Sequence, residues 1–381
     1  MIKKILYISG TRADYGLMRS VLKKINNHPE FELYIAATGM HLMPEFGKTI
    51  HEIYHDGFRI IEINATYESD DRVSMAEFVG NFIRTLIIQI KDLNPDIILI
   101  LGDRGEMLGG AIVGTYLNIP IIHIHGGEIT STVDEHVRHA ITKLAYVHLA
   151  ATQKSADRII KMGENPKNVY LVGAPGLDEI IHGEFTSPQI LAKKYQLNLS
   201  APLFLVVQHP VSGELDMAPV QIRETLNAII EEEYQTLVIY PNADAGGRQM
   251  IKIIQSYEKL PFIHAFRSIP HQDYLGLLKI SSVLLGNSSS GIIEAASLRI
   301  PVINIGSRQH GREHTANVIH VNYNKEEIKK AINRALYDKR FLAKVKKCVN
   351  PYGNGSASDK IIKVLSKIKP DQNLLQKRMM Y

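Results

Sequence analysis

Short runs of Ile, Val and Leu, apolar on both faces, alternate along this chain with longer amphipathic stretches. That alternation limits the fold more than any other feature of the sequence. The runs Lys4–Ser9, Glu32–Thr38, Ile97–Leu101, Pro120–His125, Val147–Ala151 and Val169–Val172 read as strands covered by helices on both faces. The stretches Met75–Leu93, Glu106–Leu117 and Asp134–Leu144 read as covering helices. Strand–helix–strand repetition gives right-handed crossovers and a parallel, doubly wound sheet. The rhythm breaks near 175–202, where Pro175, a polar stretch at 183–188 and Pro202 fall close together. It resumes with Phe204–Gln208, Thr236–Tyr240, Phe262–Phe266, Val283–Leu285 and Pro301–Ile305. A chain of 381 residues has room for two domains. The expectation is an α/β protein of two Rossmann-like, doubly wound lobes with an interlobe cleft, the first lobe at 1–175 and the second at 176–354. In the C-terminal segment, about 355–381, an amphipathic helix near Asp359–Ile368 is expected to pack back on the first lobe. The polar residues beyond it are expected to fray.

Composition narrows the classes. The formal charge of +5 is spread without a basic run, which suits anionic small molecules and gives no footprint for nucleic acid. Cys348 is the single cysteine, so no internal disulfide forms, in keeping with a cytoplasmic location. The N-terminal apolar run stops at Ser9-Gly10 with no cleavage signature. No uninterrupted apolar run approaches the roughly 18 residues that span a bilayer. A cytoplasmic enzyme or binding protein with no membrane partner is the reading.

Open α/β sheets bind ligands beyond the carboxyl ends of their strands. Here those segments are unusually well equipped: 9–16, Gly102-Asp103-Arg104, His123–Glu128, Gln208-His209-Pro210, Tyr240-Pro241-Asn242, Gly286–Gly291 and Gly306–Gln309. Gly286-Asn287-Ser288-Ser289-Ser290-Gly291 follows a strand and precedes a helix containing Glu294, so its N–H groups and hydroxyls suit a phosphate; an ordinary serine cap is the plainer alternative. It is neither a P-loop nor a nucleophile elbow, and no G-x-G-x-x-G follows a strand. Arg12 and Arg308, each in a Gly-flanked loop, are placed to approach a diphosphate from opposite lobes, or are solvated loop cations. Asp103, His125, Glu128, Asp134, Glu135 and His209 are the acid and base candidates. Asp103 could instead cap the following helix, and His209 could be a structural histidine. His51-Glu52-Ile53-Tyr54-His55 has the zinc-protease spacing, but it sits on a short helix away from the strand ends with no third ligand in register. No metal is expected.

Taken in order from about residue 3 to 322, Thr11–Gly16, Ala37–His41, Gly102-Asp103-Arg104, His123–Glu128, Arg138–Lys143, Gly286–Gly291 and Ile305–Arg312 closely resemble the UDP-N-acetylglucosamine 2-epimerases. They look most like the hydrolysing branch that feeds sialic acid biosynthesis. The resemblance implies the two-lobed GT-B fold and a UDP-sugar substrate. It implies conversion of UDP-N-acetylglucosamine and water to UDP and N-acetylmannosamine through a 2-acetamidoglucal, with no cofactor. It implies lobes that close over the nucleotide and assembly as a homodimer or homotetramer. By position, Asp103, Asp134 and His209 match the family's acid–base residues. Arg12, Ser288, Ser289, Glu294 and Arg308 match its nucleotide and sugar contacts, with Gly16 in the nucleotide loop; Arg104, Ser290 and Gly291 are counted with them. Where the non-hydrolysing enzymes carry a catalytic Glu, this chain has His125, so either His125 or nearby Glu128 takes that proton-transfer role. Hydrolases of UDP-2,4-diacetamido-2,4,6-trideoxyglucose resemble this branch too, and Ala13-Asp14-Tyr15 favours plain N-acetylglucosamine over that sugar. A GT-B glycosyltransferase and a non-catalytic nucleotide-sugar sensor are the rival readings.

Overall fold

A computed structural model describes residues 2–130, 133–211, 213–369 and 372–380. The chain forms two compact units. One is built from the described residues up to Ile129, from Val133–Asp178 and from Tyr352 onward; the other is built from Glu179–Pro351.

The first unit holds seven strands, β1 (Lys3–Ser9), β2 (Phe31–Ala37), β3 (Ile60–Glu62), β4 (Ile97–Leu101), β5 (Ile121–Ile124), β6 (Val147–Ala150) and β7 (Val169–Leu171). Their order is β3-β2-β1-β4-β5-β6-β7, all parallel. The second unit holds six, β8 (Leu203–Val207), β9 (Gln235–Ile239), β10 (Ile263–Phe266), β11 (Val283–Gly286), β12 (Val302–Ile305) and β13 (Val318–Val321), ordered β10-β9-β8-β11-β12-β13 and again all parallel. Both sheets thus reverse direction beside their first strand, β1/β4 in one and β8/β11 in the other. The loops beyond those pairs are where a doubly wound sheet takes its ligand. Central strands are buried along their whole length, as the two-faced apolar runs require. The strands without such a run, β3 and β13, are sheet edges with half-exposed residues, so they carry no two-faced apolar signal.

Among the helices that frame the first sheet are α1 (Arg12–Asn26), α2 (Ile50–His55), α3 (Arg72–Ile90), α4 (Gly105–Tyr116) and α5 (Val133–Leu144). A capping box starts α1: the Thr11 hydroxyl accepts from the Asp14 amide while the Asp14 carboxylate accepts from the Thr11 amide. Tyr15, Met18, Leu22 and Ile25 then bury one face of it. The apolar stripe of α3, Phe78, Phe82, Leu86 and Ile90, is buried, and α3 packs on α4. A Cβ at Gly105 would lie 2.7 Å from Val79, and one at Gly109 would lie 2.7 Å from Phe82, so these glycines let the two helices approach. By length and hydropathy α3 is also a helix that could cross a membrane, although 28% of that window is buried within the fold. The helix Ala357–Lys367 packs on α1 and is held at both ends by the first unit. Asp178 accepts from the amides of Ala357 and Ser358, and the Lys3 ammonium donates to the Leu365 and Ser366 carbonyls. The tail was expected to fray, yet its described part is tied down: the Met380 amide donates to Gly163, and Lys377 makes the contacts described below.

Candidate active site

In the first unit the strand ends gather ionisable groups. Asp103 follows β4 through Gly102, whose φ of +80° turns the chain out of the strand. It does not cap α4: Arg104 is that helix's N-cap and makes no side-chain cap. Its carboxylate instead pairs with Arg138 on α5. Arg138 is only 4% exposed, and it also donates to the Glu128 carbonyl at 3.2 Å. One guanidinium therefore ties the ends of the neighbouring strands β4 and β5 together. His123 supports the same corner by donating from Nε2 to the Gly102 carbonyl at 2.7 Å, and burial holds its pKa at about 3, so it stays neutral. Asp134 lies half-buried in the first turn of α5, one helical turn before Arg138 and on the same face.

His125 ends β5 in a left-handed conformation, φ +62°, which costs a non-glycine residue of order 1–3 kcal/mol and is retained where the surroundings impose it. Its Nδ1 lies 2.8 Å from Glu128 Oε1, with both side chains buried. The corner between them needs glycine: Gly127 has φ +74°, and a Cβ there would lie 2.3 Å from the Ser155 carbonyl. An imidazole with a carboxylate at Nδ1 exchanges protons through Nε2. In this pair the carboxylate lies at Nδ1, which leaves Nε2 as the other proton-exchanging atom of the ring.

The loop after β1 is organised from within. Asp14 is fully buried and accepts from the amides of Gly10 and Thr11, the Thr11 hydroxyl and, at 2.5 Å, the Ser9 hydroxyl. His41 reaches Ser9 through Nε2 at 2.9 Å and Thr49 through Nδ1 at 2.8 Å. Burial pushes the Asp14 carboxyl up to about 6, against the hydrogen bonds from Ser9 and Thr11, and holds His41 neutral at about 3. Two expectations change here. The Gly-flanked loop shrinks to Gly10-Thr11, because the capping box begins the helix at Arg12. Arg12 is thus the first, half-buried residue of α1, and Gly16 is a buried position within that helix rather than in a loop. Asp14 is consumed by its own loop and Tyr15 donates to Asp56 at 2.5 Å, so neither side chain is left to read a sugar. Arg104 donates to Glu106 at 2.8 Å and to the Tyr67 hydroxyl at 3.1 Å.

The second unit equips the same topological position differently. Asn287, fully buried after β11, brackets the His209 backbone after β8: its Oδ1 accepts from the His209 amide at 2.7 Å and its Nδ2 donates to the His209 carbonyl at 2.9 Å. The His209 ring accepts at Nδ1 from the Asn242 amide, 3.2 Å away at the end of β9. With Nδ1 an acceptor, the neutral tautomer of this ring carries its proton on Nε2, which makes that atom a hydrogen-bond donor. Arg308 and Gln309 both donate to the Asn287 carbonyl, at 3.2 and 2.8 Å, which brings the loop after β12 onto the one after β11. Gly286 permits the approach beneath: its φ is +122°, and a Cβ would lie 2.1 Å from the Val207 carbonyl. Ser288 caps a short 3-10 turn, Ser289–Gly291, by accepting from the Ser290 amide; Ser288 and Ser289 are half-exposed. Ser290 turns inward to the Tyr274 hydroxyl at 2.5 Å, and Gly291 is buried with room for no Cβ beside Val302. Glu294 opens the following helix and is 5% exposed.

The family follows from the whole chain. The sequence profile of the family described as UDP-N-acetylglucosamine 2-epimerase matches residues 23–366. The chain belongs to that epimerase family. A Legionella pneumophila relative named UDP-N,N'-diacetylbacillosamine 2-epimerase (hydrolyzing) is 39% identical over 378 residues, 99% of each chain. A Neisseria meningitidis UDP-N-acetylglucosamine 2-epimerase is 35% identical over 341 residues, 88% of each. Among solved structures, a Neisseria meningitidis UDP-GlcNAc 2-epimerase bound to UDP-GlcNAc superposes with a TM-score of 0.80 at 19% identity, covering 96% of this chain and 100% of that one. The fold is thus the GT-B type that the strand pattern and the resemblance implied.

Sequence reasoning passed over Arg138, Asn287 and Asn242 as functional positions. Each lay in a segment singled out above but was given no role of its own, because the partners Asp103, for Arg138, and His209, for Asn287 and Asn242, lie 35, 78 and 33 residues away. A buried Arg within an otherwise ordinary helix and an Asn directly after a strand-ending Gly were the available signals. His51 and His55 are exposed on α2, and no group of three potential metal ligands occurs among the described residues.

Proposed function

We propose that this epimerase-family enzyme is a hydrolysing 2-epimerase that converts UDP-N-acetylglucosamine and water to UDP and N-acetylmannosamine. The observation that carries this reading is Arg138, which sets the Asp103 carboxylate beside the His125–Glu128 pair at adjacent strand ends. Epimerisation by elimination and rehydration needs two proton carriers addressing opposite faces of sugar C2. In the first step the C2–H bond breaks to a base, the C1–O bond to the diphosphate breaks, and a C1=C2 double bond forms. In the second, the other carrier reprotonates C2 from the opposite face while water bonds through oxygen to C1 and passes its spare proton back to that carrier, and the proton taken in the first step leaves to solvent. Asp103 and His125 take these two parts, with Glu128 holding the imidazole and Asp134 assisting. The departing diphosphate needs donors and cations that are already in place. His209 Nε2–H, Arg308, Arg12 and the 286–291 turn supply them; Ser288 and Ser289, rather than Ser290, offer hydroxyls. Glu294 is assigned to the ribose.

A second reading keeps the reaction and changes the sugar to UDP-2,4-diacetamido-2,4,6-trideoxyglucose, the compound in the Legionella relative's name. The 39% identity over 99% of both chains favours it, and the preference read from Ala13-Asp14-Tyr15 is weakened because the Asp14 and Tyr15 side chains are internal. Proton NMR of the purified protein in deuterated water, with each sugar nucleotide in turn, tests both readings. The expected result is UDP plus a free 2-epimerised sugar carrying deuterium at C2, and the faster substrate names the sugar. A product still linked to UDP, or a released sugar retaining its C2 proton, would overturn the proposal.

A further inference from the structure

The C-terminal tail ends in an unusual piece of helix capping. The helix α5 stops at Leu144, and the residues that follow, Ala145 and Tyr146, include no glycine to close it. Its last carbonyls need donors from elsewhere. They find a single ammonium, Lys377, more than 230 residues downstream. Lys377 Nζ donates to the carbonyls of Thr142 (3.2 Å), Lys143 (2.6 Å) and Ala145 (2.7 Å), and it pairs with the buried Glu164 at 2.7 Å. Glu164 is shared with Lys143 at 2.8 Å and with His148 Nε2 at 3.1 Å, and Lys143 reaches back to the Met162 carbonyl. A cation at a helix C-terminus is also favoured by the helix dipole.

We infer that the C-terminal tail is a strap and Lys377 a positioning residue, which hold α5 so that Arg138 sets the Asp103 carboxylate. The route is continuous. Lys377 holds the Thr142 carbonyl, the Thr142 hydroxyl donates to the Arg138 carbonyl at 3.0 Å, and Arg138 grips both the Asp103 carboxylate and the Glu128 carbonyl. The same helix carries Asp134 in its first turn. Removing the ammonium leaves three carbonyls uncapped at one end, and α5 gains freedom to rotate at the other. The functional half of the inference rests on the roles proposed for Asp103 and Asp134; the mechanical half does not.

The test compares the full-length wild type with Lys377→Met, Lys377→Gln and Lys377→Arg in two measurements. Hydrogen exchange of the α5 peptide reads the strap, and steady-state turnover reads positioning. Lys377→Met should speed α5 exchange about tenfold and lower kcat about fivefold, with KM within about twofold. Lys377→Arg should restore both, and Lys377→Gln, which keeps a donor without charge, should fall between. In an Arg138→Lys background the kcat loss from Lys377→Met should shrink, because the two act in one chain. Unchanged exchange would overturn the strap, and faster exchange with unchanged kcat would overturn the positioning role. If Lys377→Met does not fold, Lys377→Gln decides by the same criteria. A wild type inactive on both sugar nucleotides would mark a failure of the functional proposal, and the exchange measurement would still judge the strap.

Discussion

The two sheets share one strand order, yet their ligand-facing ends are built from different chemistry. In the first unit the loops beyond β4 and β5 hold Asp103, His125 and Glu128, locked by the guanidinium of Arg138. In the second, the loops beyond β8, β9 and β11 are stitched by amides: Asn287 around the His209 backbone, and the Asn242 amide on its ring. On the proposed reading, the first set takes up and releases protons and the second presents fixed donors to the diphosphate. A shared strand order, with one strand more in the first sheet, therefore says where a site lies and little about what it does, which is decided by the side chains placed there.

The largest expected effect breaks the first set. Asp103→Asn or His125→Gln should lower turnover by about 10²–10⁴-fold, the usual worth of a positioned acid or base, measured by UDP release. Next comes Asn287→Ala in the second. It leaves a buried amide and a buried carbonyl of His209 unpaired, at about 1–3 kcal/mol each, so denaturant unfolding should show a loss of that order and UDP affinity should fall with it. A finer contrast concerns the two histidines. Gln offers an N–H near the place of imidazole Nε2, so His209→Gln should keep UDP affinity within about tenfold of wild type, where His209→Ala should lose more. If His209→Gln binds UDP but abolishes turnover as fully as His125→Gln, His209 is a proton carrier after all.

A smaller effect appears in stability against pH. Burial holds the Asp14 carboxyl at about 6 in the fold, above the 3.8 of an ordinary aspartate. Between those values the unfolded chain has lost its proton and the folded chain keeps it, so stability falls as pH rises from about 4 to about 6. Asp14→Asn should flatten that slope in thermal melts. Glu164 acts in the opposite sense: burial alone would raise its carboxyl, but hydrogen bonds from His148, Lys143 and Lys377 hold it at about 2. Its contribution is present above about 4.5 and lost as pH falls toward 2, and Glu164→Gln should remove that acid limb. Smallest of all, Lys24→Ala, which opens the exposed pair with Asp359, should change stability by about 1 kcal/mol or less.

Much of this was legible in the sequence. Two-faced apolar runs marked the central strands, and the ionisable residues after them marked the strand ends that carry the candidate site. Edge strands Ile60–Glu62 and Val318–Val321 carried no such run. The helical start at Arg12 was hidden because a capping box, read as part of a Gly-flanked loop, looks like ligand-binding chemistry. The same confusion made Asp14 look like a specificity residue when the five donors to its carboxylate, from Tyr7, Ser9, Gly10 and Thr11, are all local. Arg138 and Asn287 act through partners 35 and 78 residues away, at separations a sequence motif does not span.

The division between a proton-handling first unit and a nucleotide-holding second unit is tested most directly by calorimetric titration of UDP into Asp103→Asn. The expected result is UDP affinity within about twofold of wild type in a protein whose turnover is gone. Loss of UDP binding in that variant would contradict the account, because it would make Asp103 part of the nucleotide site rather than the proton machinery.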